Sequence, residues 1–223
     1  MSMNRFEALL ESRYSCRAFL SDSIAEQELA TLFRMAQRAP SWCNVQPWQV
    51  SLVSGAILAE LSAALLAAES SDTPQPDLPA PAAYEGVYRE RRAETAYGLY
   101  GSLGIRREDR ELRRAQAREN FRFFGAPQVA VVTTEDVLGS YGVLDCGGYI
   151  TTLLLAAESL GLAAVPQAAI AMYSQTVRRI LDLPKNRLVV AAVALGYSDD
   201  RHPANRYRTS RASVSDVVVR IAT

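Results

Sequence analysis

The sequence predicts one large domain that mixes helices with β-strands. Two patterns carry this prediction: apolar residues recur at helical spacing in several segments, and short β-rich runs lie between those segments. Of the 223 residues, 49% are hydrophobic and 22% are charged, so the chain can bury a sizeable core. We therefore expect residues 1–223 to form a single domain, with a helical excursion at about 70–125.

The first third of the chain predicts a helix-strand-helix unit that follows a short first helix at residues 4–12. Ser23 and Glu26 have the spacing of a capping box, which predicts the start of a helix that Pro40 ends. Residues 48–53 alternate as a strand, Gly55 breaks the pattern, and a second amphipathic helix is predicted through residue 68.

The middle of the chain has a different composition. Residues 70–83 contain four prolines and predict a loop. Residues 84–124 are dense in Arg, Glu and Tyr, and they end with Phe123 and Phe124. This segment fits solvated helices held by a small aromatic cluster, or a lid whose aromatic side chains line a substrate pocket.

The last hundred residues predict two core strands, at 128–134 and 187–195, and two helices, at 141–161 and 174–181. The longer helix should be buried at the centre of the domain. It carries Gly147 and Gly148, and two adjacent glycines inside a helix predict that another helix, or a ligand, approaches closely. Close helix packing is the favoured explanation.

Composition excludes several classes of function. Basic and acidic residues are equal in number, at 24 each, so no bulk charge attracts nucleic acid or a membrane surface. No apolar run of about 20 residues could span a bilayer, and the first residues lead into a charged amphipathic segment, so we expect a cytoplasmic protein. The only histidine is His202, and the three cysteines are far apart, which disfavours metal sites and His-dependent triads. An enzyme with this composition needs a cofactor.

A polar loop between two prolines, Pro40 and Pro47, is the first candidate site. The prolines restrict the backbone, so Ser41, Asn44 and Gln46 should be held at fixed positions. The loop is interpreted either as a binding loop or as a connector whose polar side chains satisfy their own backbone.

Two arginine-rich stretches form the second candidate site. Arg13, Ser15 and Arg17 suit an anionic or polar ligand edge, since guanidinium groups match phosphate and carbonyl geometry. Residues 205–211 carry three more arginines and form a plausible phosphate clamp. Solvated surface turns explain both stretches about equally well. Small residues at 163–169 would let a flat ligand approach backbone N–H groups.

These motifs together resemble the FMN-dependent nitroreductase family. Residues 13–17 match its Arg-x-Ser-x-Arg/Lys flavin motif, residues 40–48 match its Pro-Ser-x-x-Asn-x-Gln-Pro-Trp segment, and Arg208 and Arg211 fall in its phosphate-binding tail. The likeness covers nearly the whole chain apart from about 70–124.

The resemblance implies an α+β nitroreductase-like fold, in which helices flank a central mixed sheet, and an intertwined homodimer with FMN at the subunit interface. One chain would contact FMN through Arg13, Tyr14, Ser15, Arg17, Arg208 and Arg211. The other chain would contribute Pro40, Ser41, Trp42, Asn44 and Gln46. The segment behind the flavin ring is matched by Pro166, Gln167, Ala168 and Ala169. The N–H of Ala168 would face flavin N5, although Gln-Ala-Ala stands here where many members carry Glu-Gly.

The resemblance also implies the reaction. NADH or NADPH would give hydride to flavin N5, and a nitroaromatic or quinone-like acceptor would then be reduced in ping-pong order. Arg17 or Arg13 would stabilise the reduced flavin, Phe123 and Phe124 would bind the acceptor, and no protein nucleophile or metal is expected. Alternatives on the same fold are dehalogenation or oxidation, and an alternative of another class is a flavin-binding sensor with little turnover.

Overall fold

The computed structural model describes residues 4–71 and 73–222. Its helices are α1 Arg5–Ser12, α2 Glu26–Ala36, α3 Gly55–Ser71, α4 Gly86–Ser102, α5 Arg110–Arg118, α6 Gly139–Ser159, α7 Ala168–Ala171, α8 Ser174–Leu181 and α9 Val214–Val217. Its strands are β1 Gln49–Ser54, β2 Gln128–Glu135, β3 Ala163–Gln167 and β4 Arg187–Gly196. Short 3₁₀ segments lie at Trp42–Asn44, Glu119–Gly125, Asp136–Leu138 and Pro203–Arg206.

Within the described residues the strands form one four-stranded sheet in the order β1-β2-β4-β3. Every neighbouring pair is antiparallel. The prediction of an α+β fold is confirmed, but the prediction of a mixed sheet is wrong in its detail. Strands β2 and β3 do run in the same direction, and α6 crosses between them, but β4 is inserted between the two and pairs with both.

The core lies on both faces of this sheet. Alternate residues of β2 show the division: Ala130 and Val132 pack in the cluster formed with α2 and α6. Val129 and Val131 pack in the opposite cluster, with α3, α7 and α8. Because both faces are covered, β2 is apolar along most of its length instead of alternating.

The excursion is tied to the domain at both ends. At its start, the Asp77 carboxylate accepts hydrogen bonds from Arg178 Nη2 and from the N–H of Val189, each at 2.8 Å. At its end, the segment Glu119–Gly125 buries three phenylalanines in the core. Helices α4 and α5 between these ties have no buried residue. The excursion is therefore an outer layer with fixed ends.

Two local predictions differ from the structure. Helix α2 begins at Glu26, with Ala25 as its N-cap and no side-chain cap, so the predicted capping box does not form. Its spacing fails because Glu26 is the first helical residue and Ser23 lies outside the helix. The predicted loop at 70–83 also begins later, since α3 continues to Ser71.

The glycine pair in α6 is not explained by close helix packing. A Cβ added at Gly147 would meet nothing within 4 Å, and one added at Gly148 would meet only the Pro40 carbonyl oxygen, at 4.0 Å. This face of α6 is open in the chain, and its neighbours Tyr141 and Leu144 are 57% and 68% exposed.

No helix in the described part of the chain is long and apolar enough to cross a membrane. The first three residues, on which the expectation about the N-terminus partly rests, lie outside the described residues.

Candidate functional site

An arginine-lined cavity of about 490 Å³ lies between the end of α1 and the C-terminal tail. Its walls are formed by Leu10, Glu11, Arg13, Tyr14, Ser15, Arg17, Tyr207, Arg208, Thr209 and Arg211. The structure thus brings together the two arginine-rich stretches that the sequence separates by almost 200 positions.

Hydrogen bonds hold the first stretch in place between β3 and the tail. The N–H of Cys16 donates to the carbonyl oxygen of Ala164 at 3.1 Å. The N–H of Arg17 donates to Asn205 Oδ1 at 2.7 Å, and Asn205 Nδ2 donates to the carbonyl oxygen of Ala18 at 2.8 Å. Asn205 is buried, so this pair of bonds fixes the tail against residues 17–18.

The electrostatics of the cavity favour an anion. Burial lowers the pKa of Arg13, and the nearby charges of Arg211 and Arg208 lower it further, against an opposing effect of Glu158. Burial also lowers the pKa of Arg17. The mutual repulsion of Arg13, Arg208 and Arg211 is a cost that a bound phosphate would offset.

The two tail arginines differ in how firmly they are held. The Arg208 guanidinium carbon lies 3.7 Å from the ring centre of Tyr14, and Arg208 Nη1 donates to the Asn205 carbonyl at 2.6 Å. Arg211 is exposed, and its Nη1 donates to Thr209 Oγ1 and to the Ser210 carbonyl, each at 2.7 Å. Both arginines are exposed, and in the described hydrogen bonds each donates only through Nη1, so Nε and Nη2 of both face no acceptor there and can serve a ligand.

The proline-bracketed loop adopts an unusual backbone. Cys43, Asn44 and Gln46 have φ of 51°, 55° and 52°, in the left-handed region that costs energy for residues other than glycine. The N–H of Gln46 donates to Ser41 Oγ at 2.9 Å, and Gln46 Nε2 donates to the Asn44 carbonyl at 3.1 Å. The side chains of Ser41 and Gln46 thus form hydrogen bonds with backbone groups of the loop itself. The Asn44 side chain is exposed and makes no hydrogen bond to the described residues.

Residues of helix α6 contact this loop and hold it in place. The N–H of Trp42 donates to both carboxylate oxygens of Asp145, at 3.1 and 3.3 Å. The Trp42 ring packs on Tyr141 with centroids 4.2 Å apart. Pro40 lies near Gly148, as described above. Among the described residues, no hydrogen bond or ion pair joins the loop to the arginine cavity.

The segment predicted to lie behind a flavin ring is at the edge of the sheet. Pro166 and Gln167 end β3, and Ala168 and Ala169 begin α7. The first N–H groups of a helix have no acceptor within it, so Ala168 N–H is not used by α7. Gln167 is 2% exposed and its Nε2 donates to the Asn120 carbonyl at 2.8 Å. Its Oε1 is buried without a partner in the described structure.

The two predicted acceptor-binding residues have different surroundings, although both have positive φ. Both belong to the same core cluster, in which Phe123 is 1% exposed. Phe124 is 7% exposed, and it also borders a groove that it shares with Arg17, Leu112 and His202. Phe123 lines a different groove, with Ser62 and Arg122, whereas the groove at Phe124 shares Arg17 with the arginine-lined cavity. Phe124 is therefore the better candidate for contact with a ligand.

Sequence reasoning missed Asp145, Asn205 and Tyr207. Asp145 is a charged residue in an otherwise apolar helix, which is a usable signal. Asn205 and Tyr207 lie inside the arginine-rich tail, and neither residue type indicates an anion site as arginine does. No pattern in the sequence links any of the three to its partner.

Comparison with known proteins agrees with the family resemblance of the motifs. Residues 10–197 match the model of the nitroreductase family. The chain is 36% identical over 211 residues to the nitroreductase NfnB of Mycolicibacterium smegmatis, covering 94% of this chain and 90% of that protein. It is 32% identical over 223 residues to a 4-nitrobenzoate reductase of Nocardioides sp., covering 96% and 88%.

A solved structure is also similar over nearly its whole length. It is the crystal structure of the FMN-dependent nitroreductase NfnB from Mycobacterium smegmatis in complex with NADPH. The two chains superpose with a TM-score of 0.92 at 36% identity, over 98% of each. The chain described here therefore belongs to the nitroreductase family.

Proposed function

We propose that this protein is an FMN-dependent oxidoreductase that uses NAD(P)H to reduce nitroaromatic acceptors. The relatives support the class of reaction, since they include an FMN-dependent nitroreductase solved with NADPH and a 4-nitrobenzoate reductase. The observation that carries the proposal is the convergence of Arg13, Arg208 and Arg211 on one cavity. Quinone-like acceptors belong to the same proposal because they take electrons from reduced flavin in the same way.

The residues present fit FMN. A phosphate monoester carries about −1.5 to −2 charges near neutral pH, and four arginines line the cavity: Arg13, Arg17, Arg208 and Arg211. Ser15 adds a hydroxyl to the same cavity wall. The backbone bond from Cys16 to Ala164 places this wall beside β3, which leads into residues 166–169. The N–H of Ala168 is the donor we assign to the flavin ring.

When bound, FMN supplies the redox chemistry, taking hydride from NAD(P)H and passing electrons to the acceptor. The chain's own residues bind FMN and orient it for the reaction. Arg17 provides a fixed positive charge near the place where the ring would lie, and such a charge favours the reduced, anionic cofactor. Pro166 and Ala168 are exposed at the sheet edge, so the ring can approach their backbone closely.

We also propose that the protein acts as a homodimer. The proline-bracketed loop that carries Asn44, called the Asn44 loop below, would then complete the site of the partner chain. Two observations support this. The loop and the arginine cavity are not joined within one chain, and large apolar side chains lie exposed near the loop and in the tail. They are Trp42, Val137, Tyr141, Leu144, Val214, Val217, Val219 and Ile221. Exposed apolar patches of this kind mark interaction surfaces.

A cytoplasmic location is part of the proposal. The three cysteines are free thiols, which suits a reducing compartment, and NAD(P)H is available there.

Anaerobic spectroscopy of the purified protein tests the proposed function. Heat or acid should release FMN from it. Addition of NADPH or NADH should bleach the flavin absorbance, and addition of a nitroaromatic acid should restore it within seconds. Release of FAD or of no flavin would contradict the cofactor assignment. A flavin that NAD(P)H reduces but acceptors reoxidise only over hours would favour a sensor instead.

A further inference from the structure

Helix α4 of the excursion touches the tail that carries the arginines Arg208 and Arg211. A Cβ atom built on Gly98 would lie 2.3 Å from Cε2 and 2.5 Å from Cζ of Tyr207. Such distances are not tolerated, so the Tyr207 ring packs directly on the backbone of α4 at this glycine. Four residues earlier, Glu94 Oε1 accepts a hydrogen bond from Ser210 Oγ at 2.7 Å. Residues four apart share one helix face, so both contacts belong to one surface of α4.

The two contacted residues also supply some of the anchors of the arginine side chains. Arg208 Nη1 donates to the carbonyl oxygen of Tyr207 at 3.1 Å. Arg211 Nη1 donates to the carbonyl oxygen of Ser210 at 2.7 Å. Each guanidinium is thus anchored to a carbonyl of a residue whose side chain α4 holds. A shift of Tyr207 or Ser210 would move the donors that face the cavity.

The contact is not needed for the core. Helix α4 has no buried residue, and Glu94 and Ser210 are both exposed. Gly98 also has no conformational need to be glycine, because it lies inside a helix where alanine is favoured by about 1 kcal/mol. The close approach of Tyr207 is the feature that requires glycine here.

We propose that α4 positions the phosphate-binding tail through Gly98 and Glu94, so that these two are positioning residues for FMN. This inference rests on the proposed function. It gives α4 a role distinct from that of an acceptor-selecting lid, because α4 shares the Gly98–Tyr207 and Glu94–Ser210 contacts with the tail. Selection of the acceptor would then belong to α5 and the segment Glu119–Gly125, which border the groove at Phe124.

The test compares two glycines of the same helix. Gly98→Ala introduces the clash with Tyr207, whereas Gly101→Ala adds a methyl group that meets nothing within 4 Å. Flavin-stripped protein is titrated with FMN and with riboflavin, which lacks the phosphate. Gly98→Ala should weaken FMN about ten-fold and riboflavin less than about two-fold, the size expected from misplacing one charged donor. Gly101→Ala should bind both flavins as the wild type does.

A double-mutant cycle separates displacement of Tyr207 from a general effect on the fold. In a Tyr207→Ser background the clash is gone, so adding Gly98→Ala should change FMN affinity less than about two-fold. If Gly98→Ala fails to fold, Glu94→Ala replaces it, with a loss of about three-fold for FMN expected. Its matched control is Glu90→Ala, which removes another exposed carboxylate of α4.

Unchanged FMN affinity in Gly98→Ala, or in Glu94→Ala if that variant is used, would overturn the inference. An equal loss of FMN and riboflavin would also overturn it, because α4 would then support the fold and not the phosphate site. Failure of the wild-type protein to bind either flavin would instead contradict the proposed function.

Discussion

At the scale of single residues, Asp145 is the support of the Asn44 loop. Its carboxylate accepts the Trp42 N–H with both oxygens, just before three residues with positive φ. A strained backbone persists only where its surroundings hold it. Asp145→Ala should therefore lower the free energy of unfolding by about 1–2 kcal/mol and should weaken FMN binding.

Urea unfolding and flavin titration measure the two effects. The matched control is Asp136→Ala, since Asp136 is exposed and its side chain makes no hydrogen bond within the described residues. Equal stability and equal FMN affinity for the two variants would assign no supporting role to Asp145.

The role of Asp145 shows why the residue-scale site was only partly predictable. The loop, with its Pro-Ser-x-x-Asn-x-Gln-Pro pattern, is visible in the sequence because the motif is local. Asp145 and Trp42 are 103 positions apart, and their bond depends on how α6 packs beside the loop. The same holds for Asn205 and Arg17, which are 188 positions apart. A local pattern shows that such a residue is polar or charged, but it does not reveal which distant residue it bonds.

Alkaline pH should destabilise the folded protein through the buried thiol of Cys146. Burial raises the pKa of the Cys146 thiol from 9.0 to about 11. Between these values the unfolded chain loses the proton while the folded chain keeps it, so folding stability falls as the pH rises from 9 to 11. Cys146 should contribute about 2 kcal/mol to this loss.

Urea unfolding at several pH values between 8 and 11 measures the effect. Cys146→Ala should make the fall in stability with pH shallower, whatever its effect at pH 8. A slope equal to that of the wild type would show that the thiol titrates normally in the folded protein.

At the scale of elements, the segment Glu119–Gly125 carries two phenylalanines whose removal should have different effects on stability and on acceptor preference. Phe123→Ala removes a core side chain and should cost about 3–5 kcal/mol of stability, lowering the melting temperature with little change in acceptor preference. Phe124→Ala also removes a core side chain, but it opens the groove beside Arg17 as well, so it should change the ratio of kcat/KM between two nitroaromatic acceptors more than it changes FMN content. Equal losses of flavin and activity in Phe124→Ala would assign that residue to structure as well.

Most elements follow from the sequence, but their arrangement does not. The periodicities locate β1, β2, β4, α2, α3, α6 and α8 within a few residues, because hydrophobic spacing is a local property, but they give no bounds for α4 and α5. The insertion of β4 between β2 and β3 is a long-range pairing that no local pattern encodes, and the mixed sheet expected from the family resemblance forms instead as an antiparallel one. The positive φ of Phe123 and Phe124 also has no sequence signal, since bulky residues rarely adopt it.

At the scale of the whole molecule, the separation of the loop from the arginine cavity leads to a complementation experiment. If each flavin site uses the arginine cavity of one chain and the Asn44 loop of the other, Arg13→Ala and Asn44→Ala subunits damage opposite halves of a site. A heterodimer of the two variants then contains one intact site and one doubly damaged site.

Mixing the two variants after mild unfolding and refolding should restore about half of the wild-type FMN capacity in the heterodimer fraction. Each parent variant treated in the same way provides the control. A mixture that binds no more FMN than its parents would contradict the shared site.

The central claim is that the arginine-lined cavity holds the phosphate of FMN, and the most direct test is a parallel titration of FMN and riboflavin. Arg211 is exposed at this cavity and faces no acidic side chain within salt-bridge distance in the described structure. Arg211→Ala should weaken FMN about ten- to hundred-fold while riboflavin binding stays within about two-fold of the wild type. Added salt should weaken FMN binding more in the wild type than in the variant. An equal loss of affinity for both flavins would contradict the claim.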